Sequence, residues 1–268
     1  MPNRFSRQPT TPLTNLTRRD LLGFAAKGAA SVMVSQVLLG CGSVANADAG
    51  TVVSDTVTPG SGSTACVLTA ALTEGPFFVD EKLNRSDIRS DPVSGAVSAG
   101  IPLALTFNVS RVASSACTPL TGAYIDVWHA DASGTYSDVS GMGNGSNGTG
   151  HKFLRGYQVT DASGVAQFTT IYPGWYQGRA VHIHFKLRMY AGATKTYEFT
   201  SQFFLPEAVT NVVHAQAPYA SKGTRTTFNS TDGIYNSLTT AQKSALTLDA
   251  APTNGGYAGT INLDVSVG

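Results

Sequence analysis

The stretch VHIHFKLR (residues 181–188) alternates apolar and polar residues without a break. Val181, Ile183, Phe185 and Leu187 are apolar, and His182, His184, Lys186 and Arg188 are polar. A period of two fits a strand with one buried face and fits no helix. The register is thereby fixed, because a slip of one residue would turn the whole apolar set toward water. Two of the chain's five histidines then share one side of a sheet, with Cα atoms roughly 6–7 Å apart. That separation suits two ligands of one ion. It also suits an ordinary half-exposed polar face.

The rest of the sequence favours the same architecture. Gly is frequent (28 residues), charged residues make up only 13%, and 42% of residues are hydrophobic. This balance suits an all-β chain with a real core, and short strands between Gly-containing turns suggest a β-sandwich. Strands are expected over 101–112 and 122–130. GYQVTDASGVAQFTTI (156–171) reads as a hairpin turning at Asp161–Gly164. Residues 180–190 and 196–205 read as a further pair, and GTINLDVSV as a last strand. One short helix is expected over 237–250. The glycine-dense SGMGNGSNGTG (140–150) is expected to hold no regular structure.

Charge divides the chain unevenly. Arg4, Arg7, Arg18, Arg19 and Lys27 precede residue 41 with only Asp20 opposing them, leaving 13 basic and 16 acidic residues in the remainder. No basic patch argues for nucleic acid. Arg18-Arg19-Asp20-Leu21-Leu22 heads a mildly apolar run and has the form of a twin-arginine export signal. Gly23, Lys27, Gly28 and Gln36 interrupt that run, so it makes a poor permanent membrane span. LLGC, ending at Cys41, has the form of a lipoprotein box, and ANA, ending at Ala47, offers an alternative cleavage site. The expected order is therefore an export signal over 1–47, a flexible Gly/Ser/Thr tether over 48–65 and one folded domain over 66–268. Membrane attachment would come only through a lipid at Cys41, in a periplasmic, lipid-anchored or secreted protein. Cys66 and Cys117 then remain, an even pair suited to a disulfide in an oxidising compartment. The oligomeric state is left open.

Two tyrosines stand near the histidine strand or in a comparable turn. In YPGWYQGRAVHIH (172–184), Pro173-Gly174 turns the chain and brings Tyr176 back toward the His182/His184 face. In DVWHADASGTYSDV (126–139), a strand runs into a polar turn and then Tyr136. Phenolate oxygen is a hard anionic donor suited to a trivalent metal, and imidazole suits iron as well. Each tyrosine alone also reads as a packing residue. His129, at a strand end, is expected to make structural hydrogen bonds.

Taken together, four segments make the sequence resemble the intradiol ring-cleavage dioxygenases, the family of catechol and protocatechuate dioxygenases. They are LTEGPFF (72–78), VWHADASGTYS (127–137), YPGWYQGRAVHIHFK (172–186) and TSQFF (200–204). The resemblance covers roughly residues 66–210. It implies a β-sandwich with long loops and little helix, holding one non-haem Fe(III) ion per chain through Tyr136, Tyr176, His182 and His184. It implies that Arg179 steadies negative charge on a bound catechol-type diol and that Gln202 hydrogen-bonds a substrate oxygen. Tyr176 would accept a proton from the diol, and Tyr172 would pack. Both atoms of O2 would be incorporated as the ring is cleaved between the two hydroxylated carbons, giving a cis,cis-muconate-type diacid. The short interval from Tyr176 to His182 resembles the compact extracellular members, and the long helical N-terminal region of the catechol enzymes is missing. By adjacency, Trp175 and Ile171 are expected at the mouth and the 140–150 loop at its rim. Two alternatives stay open: a zinc- or copper-binding β-sandwich in which both tyrosines merely pack, and a non-catalytic lipoprotein module.

Overall fold

The computed structural model describes residues 66–113, 116–141 and 148–267. The expected export signal with Cys41, the tether and most of the glycine-rich stretch lie outside them. Two sheets face each other. In the first, β1 (Pro102–Ala113) pairs in parallel with β9 (Gly256–Val265) along one edge. Along its other edge it pairs antiparallel with β2 (Ala116–Pro119) and β5 (Val165–Ile171). The short β8 (Ala251–Thr253) lies beyond β9. The second sheet is antiparallel, in the order β4 (Arg155–Val159), β3 (Tyr124–Trp128), β6 (His182–Ala191), β7 (Thr194–Phe204). This is the expected all-β sandwich.

The alternating residues meet between the sheets. Leu103, Leu105, Phe107 and Val109 of β1 and Ile261 and Leu263 of β9 pack against Ile125 and Val127 of β3 and Ile183, Phe185 and Leu187 of β6, all buried. The Phe107 ring contacts Phe168 of β5, Phe185 of β6 and Phe203 of β7, at centroid distances of 5.7, 5.8 and 6.0 Å. It thus joins both layers, and truncating a ring so placed costs about 3–5 kcal/mol. Cys66 and Cys117 form a disulfide that ties the start of the described chain to β2.

Three expectations need correction. Residues 156–171 do not form a hairpin, since β4 belongs to one sheet and β5 to the other. The turn itself is present, with Asp161 N bonded to Val165 O and Asp161 Oδ1 accepting from Ser163 and Val165 N–H. It carries the chain across the sandwich. The helix expected over 237–250 is only α3 (Thr240–Ala245), after α1 (Glu207–His214) and α2 (Gly233–Asn236). It ends because the next residues extend and bond β7 through Phe204 N to Leu246 O and Leu248 N to Phe204 O.

The polar face of β6, for which half exposure was one reading, is buried: His182, His184, Lys186 and Arg188 are at most 7% exposed. Residues 72–83 cover it. Lys186 pairs with Glu74 and sits 4.0 Å from the centroid of Phe78. Arg188 donates to Asp80 at 3.0 Å and to Asp126 of β3 at 2.6 Å. Buried cations need partners of this kind, and the covering strip supplies them.

Candidate metal centre

Sheet register sets the site's frame. His184 stands directly opposite Trp128 of β3 on one side and Gln202 of β7 on the other, while His182 stands opposite Phe204. Period two therefore places His182, His184, Trp128 and Gln202 on one face, the face away from the core. Trp128 stacks on the His184 ring at 5.0 Å and 9°.

Two loops bring in the tyrosines. The first follows β3. Asp131 Oδ1 accepts from Ser133 N–H, Ser133 Oγ–H and Thr135 N–H, closing a tight turn ahead of Tyr136. Arg155 of β4 then holds Ser137, its Nε 2.9 Å from Ser137 Oγ. The second loop follows β5 and carries Tyr176. The loops touch backbone to backbone: Gly174 N–H donates to Asp131 O at 3.0 Å. A Cβ on Gly174 would meet Ala132 O at 2.4 Å, and one on Gly134, whose φ is +79°, would meet Trp175 O at 2.0 Å. Only glycine fits either place. Lys222 adds a clamp, donating to Ser133 O and lying over the Trp175 ring.

The four donors converge. His182 Nε2 is 3.0 Å from His184 Nε2, 3.2 Å from Tyr176 Oη and 3.5 Å from Tyr136 Oη. Such separations are expected between donors that share one ion through bonds of about 2.1 Å. His182 Nδ1 lies 2.6 Å from Ala180 O. A carbonyl only accepts, so Nδ1 carries the proton and Nε2 presents its lone pair inward. His184 Nδ1 is buried with no hydrogen-bond partner among the described residues. Those residues hold no cluster of three or more His, Cys, Asp or Glu; the two phenols complete the set. Two imidazoles and two phenols suit a hard, highly charged transition-metal ion.

Electrostatics agrees with that donor set. Burial pulls both imidazoles well below their ordinary pKa, and the Arg179 charge adds to this. Burial lifts the Tyr136 phenol well above its usual range, with Tyr176 adding to it. Burial also lifts Tyr176, against the opposing pull of Arg179. The protein alone therefore holds four neutral donors, and a bound cation would invert the preference at the phenols.

Arg179 faces the cluster. Its Nη1 is 3.5 Å from His182 Nε2, its Nη2 donates to Gln202 Oε1 at 2.5 Å, and its Nε donates to Asp232 Oδ2 at 2.8 Å. Gln202 is fully buried, its Nε2 3.5 Å from Thr73 O. Phe77 of the covering strip stacks on Tyr136 at 4.4 Å and meets Tyr176 edge-on at 5.7 Å.

Other residues stand elsewhere. His129 is buried, bonded through Nδ1 to Ala130 O and through Nε2 to Thr170 Oγ1. Tyr172 is buried and bonded to Thr210. Ile171, expected at the mouth, is buried in the main hydrophobic cluster, because the end of β5 is paired with Pro102 of β1. Trp175 packs partly against that core. Sequence reasoning missed Phe77, Trp128 and Asp232, and it saw Gly134 and Gly174 only as turn residues, not as the close contact between the two loops. Asp232 alone left a local signal, as an aspartate preceding Gly-Ile-Tyr-Asn in the N-cap position of a helix.

A family model described as a dioxygenase (Dioxygenase_C) matches residues 73–206, half of the chain. Among solved structures, an intradiol ring-cleavage dioxygenase from Tetranychus urticae is similar at 28% identity and TM-score 0.62, covering 75% of this chain and 95% of that one. The dioxygenase domain of a dioxygenase carbohydrate-binding protein fusion from Streptomyces sp. SirexAA-E is similar at 26% identity and TM-score 0.51, over 75% and 100% of the two chains. A hydroxyquinol 1,2-dioxygenase from Pseudomonas putida DLL-E4, at 16% identity and TM-score 0.50, shares the fold over 76% of this chain and 68% of its own. No curated protein matches.

Proposed function

This chain belongs to the intradiol ring-cleavage dioxygenase family, and on that premise we propose that Tyr136, Tyr176, His182 and His184 hold a non-haem Fe(III) ion at which a catechol-type diol is opened to a cis,cis-muconate-type diacid. The observation that carries this reading is the approach of two phenol oxygens and one imidazole nitrogen to within 3.5 Å of His182 Nε2. Bound there, ferric iron would draw charge from a chelating diol and make its ring open to O2.

The chain's own residues divide the remaining work. Tyr176 is partly exposed, whereas Tyr136 is 1% exposed. Tyr176 Oη is therefore the group that an incoming diol reaches, and as the phenolate that a bound cation would make of it, it would take a hydroxyl proton and return to the phenol. Tyr136 stays fixed between Phe77 and the Arg155-held turn. Burial keeps His182 neutral, and the Ala180 carbonyl keeps its one proton on Nδ1. The Arg179 guanidinium steadies negative charge as it builds on the ring, and a fixed donor of this kind needs no reorganisation during reaction. Gln202, tethered by Arg179, offers its amide to a substrate oxygen. Phe77 and Trp128 keep water from the ligand rings.

The twin-arginine pattern at Arg18–Arg19 and the box at Cys41 support work outside the cytoplasm, on phenolics met there. The test is oxygen uptake by iron-loaded protein with catechol, protocatechuate and hydroxyquinol, with the product identified. One O2 consumed per diacid formed supports the reading. Full iron occupancy with no turnover of any diol would favour a non-catalytic module instead.

A further inference from the structure

Asp232 lies 53 residues beyond Arg179, in a segment where sequence showed no chemistry. It is fully buried, and both of its oxygens are occupied. Oδ1 accepts from Ile234 N–H at 2.8 Å and Tyr235 N–H at 2.9 Å, capping α2. Oδ2 accepts from Arg179 Nε–H and from Ala180 N–H, both at 2.8 Å. The residue on which Oδ2 pulls, Ala180, is the one whose carbonyl holds His182 Nδ1. We propose that Asp232 is a positioning residue that fixes the Arg179 guanidinium toward the metal centre and steadies the Ala180 backbone behind His182.

The geometry leaves little alternative for Arg179. With Nε held by Asp232, the planar fork is fixed in direction. Nη2 then reaches Gln202, and Nη1 faces His182 Nε2. Without Oδ2 the fork can rotate about its stem, and both contacts loosen. Misplacement of a charged group by about 1 Å can cost on the order of 100-fold in rate. The proposal relies on the ferric dioxygenase reading for what Arg179 does in turnover, and not for how Arg179 is held.

Two variants separate capping from positioning. Asp232→Asn keeps one acceptor oxygen for α2 and turns an N–H donor toward Arg179 Nε–H. Asp232→Ser keeps a good helix cap with no second oxygen for Arg179. The first arm uses nitrogen-15-labelled, metal-free protein and follows exchange of the Arg179 Nε–H proton with water. Slow exchange in wild type and fast exchange in both variants is the expected result. The second arm measures kcat/KM with catechol in iron-loaded wild type, Asp232→Asn, Arg179→Gln and the double variant. Asp232→Asn should lose about 10- to 100-fold, mostly in kcat, with iron content near wild type. In the Arg179→Gln background it should lose under about threefold more, since residues acting through one another are not additive.

Slow Arg179 exchange in the variants, or losses that multiply in the double variant, would overturn the proposal. So would failure of both variants to fold, which would make Asp232 a structural residue. A wild type without activity on any diol would count against the dioxygenase reading alone, because the exchange arm would still decide how Arg179 is held.

Discussion

Tyr176 Oη lies 3.2 Å from His182 Nε2, and the two are only six positions apart along the chain. The Pro173-Gly174 turn folds the tyrosine back over the start of β6. This contact makes Tyr176 at once a candidate ligand and the most accessible proton acceptor. Tyr176→Phe should keep the fold, because the side chain is only partly buried. Turnover should fall by roughly 100-fold or more, the usual worth of a positioned acid–base group. Steady-state kinetics beside a thermal melt checks both, and wild-type turnover would remove Tyr176 from the mechanism.

His182→Ala and His184→Ala should each release the iron. Each removes a nitrogen that no neighbour replaces, and loss of a mere hydrogen-bond partner to such a ligand already weakens metal affinity roughly 10- to 100-fold. Metal content after gel filtration reports this directly. Full iron retention by either variant would contradict the ligand set.

The glycine contacts between the two tyrosine loops are testable apart from chemistry. Gly134→Ala places a methyl at positive φ and 2.0 Å from Trp175 O, so the loops must separate. Stability should drop by about 2 kcal/mol or more, and metal affinity should fall with it. Denaturant melts with and without iron would show a larger loss in the iron-loaded protein. An unchanged melt would mean the loops have slack that the geometry denies.

His129 gives a pH signature. Burial brings its pKa down to about 4, against the opposing bond to Ala130 O and with help from the Arg155 charge. An unfolded chain takes up that proton near pH 6.5. The folded protein resists until about pH 4, so stability is full above about pH 6.5 and drains away as pH falls toward 4. The whole change amounts to at most ~3 kcal/mol. His129→Gln should flatten the slope between pH 7 and pH 4 relative to wild type, in iron-loaded protein of both kinds. Equal slopes would place His129 in a wetter environment.

How much of this was legible in sequence varies by physical cause. Alternation in β1, β3, β6, β7 and β9 announces strands, because one face of each meets the core. The turn at Asp161–Gly164 carries the same local chemistry in a hairpin and in a crossing between sheets, so its partner was misread. Only the long-range pairings of β4 with β3 and of β5 with β1 decide the matter.

The buried polar face of β6 was hidden for a similar reason. Its cover, residues 72–83, has no periodicity, and Glu74 and Asp80 meet Lys186 and Arg188 across 112 and 108 residues. The histidine pair was legible from spacing alone. Tyr176 was legible as folded back by the Pro173-Gly174 turn, whereas Tyr136 was recognisable only through family resemblance, and the contact between their loops at Gly134 and Lys222 left no mark in the sequence. Asp232 showed as a helix cap at best.

The central claim is that two phenols and two imidazoles of this chain share one ferric ion. The most direct test is metal content together with the visible spectrum, recorded before and after catechol is added without oxygen. The account predicts one iron per chain, a red-brown band from tyrosinate-to-iron charge transfer, and a shift to longer wavelength as the diol binds. A colourless protein, or one holding zinc and blind to catechol, would contradict it.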